Sequence, residues 1–114
     1  MKFGTFILQV SPSPDLDALI IDNTLNEARL AEKLGFDAIW LTEHYFAGDT
    51  VYADPIVFGA AVAAVTKRIT IGLAVVQMAF HHPVKLAAQT ALLDNLSHGR
   101  LIVGTGRGSA YNAY

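Results

Sequence analysis

Apolar positions along this chain switch repeatedly between the period of a strand and that of a helix. Phe3 to Val10 is a near-continuous apolar run of strand length, the pattern of a strand covered on both faces. Ser11-Pro12-Ser13-Pro14 forbids helix until Pro14, so a first helix begins near Asp15 or near Asp22 and ends at Leu34-Gly35 with glycine at the C-cap. Within it Leu25, Ala28, Ala31 and Leu34 recur three residues apart while Glu27, Arg29, Glu32 and Lys33 take other faces, which predicts one inward stripe. Phe36-Asp37 opens a second strand, Ala38 to Leu41. Asp54-Pro55 starts a second helix, because aspartate can accept an amide hydrogen bond there and proline in the first turn loses no needed donor. It ends at Thr66-Lys67-Arg68, cations at the negative end of the dipole. Between these limits Gly59 to Val65 leaves almost no polar face, which predicts the sheet on one side and another chain, or further protein, on the other. A third strand, Ile69 to Val76, leads to His82-Pro83, where a third helix runs to about Ser97 and stops at Gly99. The fourth strand is Leu101 to about Gly104.

Strand-helix alternation of this kind predicts an α/β fold with parallel strands and right-handed helical crossovers. An open doubly wound sheet and a (β/α)8 TIM barrel both fit. A barrel needs about 250 residues, so this chain would hold its first four strands and three helices. No linker, low-complexity tract or internal repeat beyond the βα period divides the 114 residues.

Composition narrows the partners. With 53% apolar and 16% charged residues, much of the chain must be buried. No segment approaches the roughly 18 uncharged apolar residues of a membrane span, and the start runs too soon into Ser11-Pro12 for a secretory signal, so a cytoplasmic protein is expected. The absence of cysteine excludes disulfides, thiolate nucleophiles and thiolate metal sites. A net charge of −2 offers no electrostatic footprint for nucleic acid or an anionic membrane, so a small-molecule ligand is expected.

Polar residues gather just after the strands: Thr42-Glu43-His44-Tyr45-Phe46, then Gln77, His81 and His82, then Gly104-Thr105-Gly106-Arg107-Gly108. In both architectures the carboxyl ends of the strands are where ligands bind. His44 is the candidate for acid-base work, being an imidazole one residue from a carboxylate; a histidine bonded to backbone at a strand end is the alternative. Glu43 can orient a neighbour or bond a ligand, or act only as a cap or ion-pair partner. At most one of the adjacent His81 and His82 faces the site, and His82 before Pro83 can simply begin a helix. A metal centre built from His44, Glu43 and one of this pair has no spacing that specifies it. The glycine-rich segment lacks the third glycine, following helix and acid of a dinucleotide fingerprint. It offers a backbone that a ligand can approach, with Arg107 able to hold a phosphate bidentately and Ser109 a hydroxyl; the alternative is a tight turn with a solvated arginine.

Six ordered blocks together resemble the bacterial luciferase-like flavin-dependent monooxygenases. These are Met1-Lys2-Phe3-Gly4, Gly35-Phe36-Asp37-Ala38-Ile39-Trp40-Leu41-Thr42-Glu43-His44-Tyr45-Phe46, Thr66-Lys67-Arg68-Ile69, His82-Pro83, Leu93-Asp94-x-Leu96-Ser97-x-Gly99-Arg100 and Gly104-x-Gly106-Arg107-Gly108. The resemblance implies that residues 1–114 are the N-terminal part of a TIM-barrel domain that binds reduced FMN, or in some branches deazaflavin F420, at its mouth. On that pattern His44 is the catalytic histidine, with Glu43 beside it, and Arg107 between Gly106 and Gly108 holds the flavin phosphate. Ala74-Val75 matches the strand-three region behind the flavin ring, which often carries a non-proline cis peptide bond. Tyr45 and Gly106 stand where luciferase catalytic subunits proper have a second histidine and a reactive cysteine, so a generic luciferase-like oxidoreductase fits better than light emission.

The resemblance further implies a homo- or heterodimer packed through the second and third helices, in agreement with the alanine-rich segment Ile56 to Val65, and a separate flavin reductase. Two other readings remain: a non-catalytic flavin-binding or partner-stabilising homologue, and a metal-dependent hydrolase on the same barrel. Half a barrel leaves strand edges unpaired. The isolated 114-residue chain is therefore expected to bind FMN weakly and show no turnover; tight stoichiometric binding in a flavin titration overturns this.

Overall fold

The structure, a computed structural model, describes residues 1–45 and 48–108, so Phe46 and Ser109 lie outside the described residues. Four strands, β1 (Gly4–Ile7), β2 (Ala38–Leu41), β3 (Thr70–Gln77) and β4 (Leu101–Gly106), form one parallel sheet in the order β1-β2-β3-β4. Helices α1 (Asp17–Leu34), α2 (Pro55–Val65) and α3 (Pro83–Leu96) make the crossovers. Consecutive order decides between the two expected architectures: a doubly wound sheet reverses its order at a switch point, whereas a barrel adds each strand beside the last.

The period of two along each strand divides the sheet into two faces. Ile7, Ile39, Leu41, Ile71 and Leu73 share the helix side, where they join Ala28, Ala31, Ile56, Phe58, Val62, Leu86 and Leu93 in a single core. The opposite face carries a row across all four strands, Phe6 beside Trp40 beside Gly72 beside Ile102. A Cβ on Gly72 would collide with the Trp40 ring, and one on Gly4 would lie 2.6 Å from the indole Nε1, so the single tryptophan spreads over glycines on both neighbouring strands. Phe6 remains 59% exposed, which corrects the expectation of a first strand covered on both faces. This is the face that fills with side chains only when a barrel closes. The first strand is also shorter than its apolar run. Beyond Ile7 the chain leaves the sheet, and the Ser11 amide donates to Asp49 O at 2.7 Å while Val10 bridges Thr50 in antiparallel fashion.

Helix α1 begins at Asp17, between the two expected starts, after a 3-10 turn over Pro14–Leu16, and ends at Gly35 with φ 86°. Its buried positions are Thr24, Ala28 and Ala31, whereas Leu34 is 66% exposed. At about 100° per residue, Leu34 lies about 180° around the helix from Leu25, so a strict three-residue spacing drifts off the core face. Helix α2 begins as expected: Asp54 Oδ1 accepts from the amides of Ile56 at 2.8 Å and Val57 at 3.1 Å. Its far end differs. Thr66 is extended (φ −124°, ψ 162°) and turns Lys67 and Arg68 off the helix axis; Arg68 instead donates to Glu32 O at the end of α1, at 3.3 Å. The terminal carbonyls of α2 are taken by Arg100, which donates to Ala63 O and Thr66 O, both at 3.2 Å, and to Ile69 O at 2.8 Å. Helix α3 starts at Pro83 and closes at Ser97, followed by Gly99 at φ 78°.

Glu32 reaches from α1 to the turn that opens β3, where its Oε1 accepts from the amides of Lys67 (2.8 Å), Arg68 (2.5 Å) and Ile69 (2.9 Å). Partial burial alone would raise its pKa, but the three amides and the Arg68 charge outweigh that and hold it below the ordinary 4.5. A depressed folded pKa means stability that is present above 4.5 and lost as pH falls through the folded value. Glu32→Ala is expected to cost about 1 kcal/mol at neutral pH, since three partly solvated amides lose their acceptor. In urea unfolding, the gap between wild type and variant should narrow from pH 7 to pH 3; a gap independent of pH contradicts this assignment.

Candidate active site

The carboxyl ends of β2, β3 and β4 converge on one open cleft of ≈350 Å³. Glu43, His44, Ala74, Val75, Arg107 and Gly108, six of the residues expected at the site, line it together with Gln77. Gly106 is not among the lining residues. Strand β4 runs on through Gly106 instead of ending near Gly104, because glycines there let it close on an irregular partner. Leu73 pairs with Val103 but Val76 with Thr105, so Ala74 and Val75 together oppose Gly104 in a bulge. A Cβ on Gly104 would sit 2.6 Å from Leu73 O, and one on Gly106 2.8 Å from Val75 Cγ2. The bulge carries a cis peptide bond between Ala74 and Val75, at the residues where the family resemblance implied one.

Glu43 is buried, at 3% exposure, and organises the mouth. Its Oε2 accepts from the Gln77 amide, its Oε1 meets His81 Nε2 at 2.6 Å, and its backbone carbonyl accepts from Gln77 Nε2 at 2.6 Å. Tyr45 also hydrogen-bonds Glu43; burial first, and then this bond and the nearby carboxylates of Glu43 and Asp54, push its phenol far above 10, so it stays protonated at neutral pH. The Tyr45 ring packs edge-on against Phe80 of the 3-10 turn Met78–Phe80, with centroids 5.3 Å apart. These contacts, to a backbone amide and an imidazole, are those of the cap or ion-pair alternative for Glu43. His81 lies against Glu43, while His82 is exposed at the start of α3 without a side-chain cap bond, and neither lines the cleft. Among the described residues no three His, Asp or Glu side chains are placed to hold a metal ion.

Gln77, expected only as one of the polar residues after the third strand, is a lining residue, and one feature was not identified from the sequence: the pairing of His81 with Glu43. The usable signal was the acid itself, since a carboxylate directly after an apolar strand is buried only with partners, and the nearest donors in a parallel sheet come from the next strand's end. A larger hollow of ≈470 Å³ opens at the opposite ends of the strands. Size is a poor guide here: its acids are already bonded, Glu32 to the turn before β3 and Asp37 Oδ2 to the Phe3 amide at 2.7 Å.

Consecutive parallel strands, helices on one face and a polar cleft where the strands end constitute the leading part of a (β/α)8 barrel, an architecture whose ligands bind at that end. The model of the luciferase-like monooxygenases matches residues 1–114, and the chain belongs to that family. It is 39% identical over 108 residues to limonene 1,2-monooxygenase from Rhodococcus erythropolis, an alignment that covers 95% of this chain and 28% of the relative. Among solved structures, monooxygenase RslO1 from Streptomyces bottropensis superposes with a TM-score of 0.88 at 40% identity, covering 96% of this chain and 34% of that one. The oxygenating constituent of 3,6-diketocamphane monooxygenase from Pseudomonas putida, a type II Baeyer-Villiger monooxygenase in complex with FMN, superposes with a TM-score of 0.86 at 25% identity, covering 99% and 31%. The chain thus spans about a third of the length of these relatives.

Removing the carboxylate should leave the Gln77 amide and His81 without their partner, so Glu43→Ala is expected to lower stability by about 3 kcal/mol. In a double-mutant cycle with His81→Ala, a coupling of about 1 kcal/mol or more is expected. Additive losses refute the pairing as an energetic unit.

Proposed function

We propose that these residues form the N-terminal part of a TIM-barrel monooxygenase that uses reduced FMN and dioxygen on a small organic substrate. The observation that carries this reading is the gathering of His44, the Ala74-Val75 bulge and Arg107 around one cleft. Their chemistry suits a flat, phosphate-bearing guest. Arg107 offers a planar fork of donors to a phosphate, and Gly108 at φ 82° carries no side chain to obstruct it. Ala74 and Val75 supply an apolar wall for a ring. His44, half-buried at the rim, holds or passes a proton, and Glu43 positions it through the clasp with Gln77, His81 and Tyr45. FMN when bound supplies the redox chemistry with dioxygen that no side chain here can perform.

Support comes from the FMN complex of the Pseudomonas relative and from the monooxygenases named above. Dimerisation through α2 and α3 belongs to the same proposal: Val57 is 65% exposed on α2, and Leu92 and Leu96 are exposed on α3. A separate reductase would deliver the reduced flavin, in the cytoplasm. Among the described residues no helix is long and apolar enough to cross a membrane.

The test uses the full-length polypeptide containing these residues, mixed anaerobically with reduced FMN or reduced F420 and then with oxygen, and followed by visible absorption. Arg107→Ala should weaken FMN binding roughly tenfold to a hundredfold. His44→Ala should slow turnover roughly a hundredfold or more while changing FMN affinity little. Spectral change with F420 alone would reassign the cofactor. Unchanged turnover in His44→Ala would favour the non-catalytic, partner-stabilising homologue.

A further inference from the structure

We propose that Gln77 is a ligand contact of the mouth cleft, its side-chain carbonyl accepting a hydrogen bond from a hydroxyl of the polyol chain of a bound flavin mononucleotide. The inference rests on the flavin reading above and assigns a residue which that reading leaves without a role toward the ligand. Gln77 closes β3 and is only 4% exposed. Its amide has one orientation: Nε2 donates to Glu43 O at 2.6 Å, and that carbonyl can receive only the nitrogen. The oxygen therefore points the other way, toward Gly108, where a Cβ would run into it. There, among the described residues, Oε1 has no hydrogen-bond partner. Buried acceptors are almost always satisfied in folded proteins, so an orphan on the wall of a cleft marks where a donor arrives from outside.

The neighbours select the donor. In the ladder Gln77 pairs with Gly106, which sets its amide between the Ala74-Val75 bulge, earlier on the same strand, and Arg107, the next residue along the facing one. A carbonyl oxygen cannot accept from a fully ionised phosphate, the main form above a second pKa of about 6, so the guanidinium suits the anion and the amide oxygen suits a hydroxyl beside it. A ring against the apolar wall, a polyol at Gln77 and a phosphate at Arg107 is the order of parts in a flavin mononucleotide. A neutral amide also adds no charge next to the phosphate, which a glutamate in its place would.

The decisive experiment alters the ligand instead of the protein. The full-length polypeptide containing these residues is titrated with oxidised FMN and with FMN analogues each lacking one ribityl hydroxyl, following flavin fluorescence. One analogue should bind roughly tenfold more weakly than FMN. In Gln77→Met, which keeps the side-chain length and removes the acceptor, that analogue and FMN should bind equally. If every analogue binds wild type as FMN does while Arg107→Ala still weakens FMN, the assignment of Gln77 fails and the flavin reading stands. If FMN itself does not bind, that reading fails and takes this inference with it. A deoxy analogue that loses the same affinity in Gln77→Met as in wild type also overturns the assignment, and a variant that does not fold leaves the ligand series on the native protein to decide.

Discussion

A carboxylate buried at the end of the second strand organises the mouth of this molecule. Glu43 cannot sit out of water without partners, because an isolated buried charge or an unbonded polar oxygen is expensive. It finds them on the neighbouring strand: the Gln77 amide, the His81 ring and, from its own segment, the Tyr45 phenol. The bonds to Gln77 and His81 tie the chain after β2 to the end of β3 and the turn beyond it. His44 follows Glu43 directly, so the clasp also sets where the imidazole enters the cleft. A residue that need never touch a ligand thereby determines the placement of one that can.

The same economy governs how the strands approach each other. Glycines at Gly4 and Gly72 receive the Trp40 ring, and glycines at Gly104 and Gly106 receive the bulge at Ala74-Val75. In both places a side chain is left out so that a neighbouring strand can present something bulky or irregular. The glycine-rich segment first considered as a surface for a ligand is in good part a surface for β3; only its end, at Arg107 and Gly108, faces the cleft.

At the opposite ends of the strands the polar groups serve stability. Arg100 satisfies the closing carbonyls of α2, and Glu32 satisfies the amides that open β3. These charges are engaged mainly with backbone partners, at the end of the sheet that holds the larger hollow. The polar groups that line the cleft and those that bond backbone ends thus lie at the two ends of one sheet.

Much of this was legible from residues alone. Among the described residues, period and punctuation located the four strands and three α-helices but neither 3-10 turn, Asp54-Pro55 and Leu34-Gly35 marked helix ends correctly, and the crowding of polar residues after strands marked the mouth. These signals are local, arising from propensity, capping and side-chain alternation within a few residues. What the tertiary structure decided was partnership at a distance: Glu43 with His81, 38 residues on, Glu32 with Arg68, 36 on, and Arg100 with Ala63, 37 back. The packing of one element against another sets those pairs, and no period within one element encodes the offset between two. Strand register likewise placed Gln77 on the cleft wall with its oxygen unpaired among the described residues, a fact about neighbours that no property of glutamine could announce.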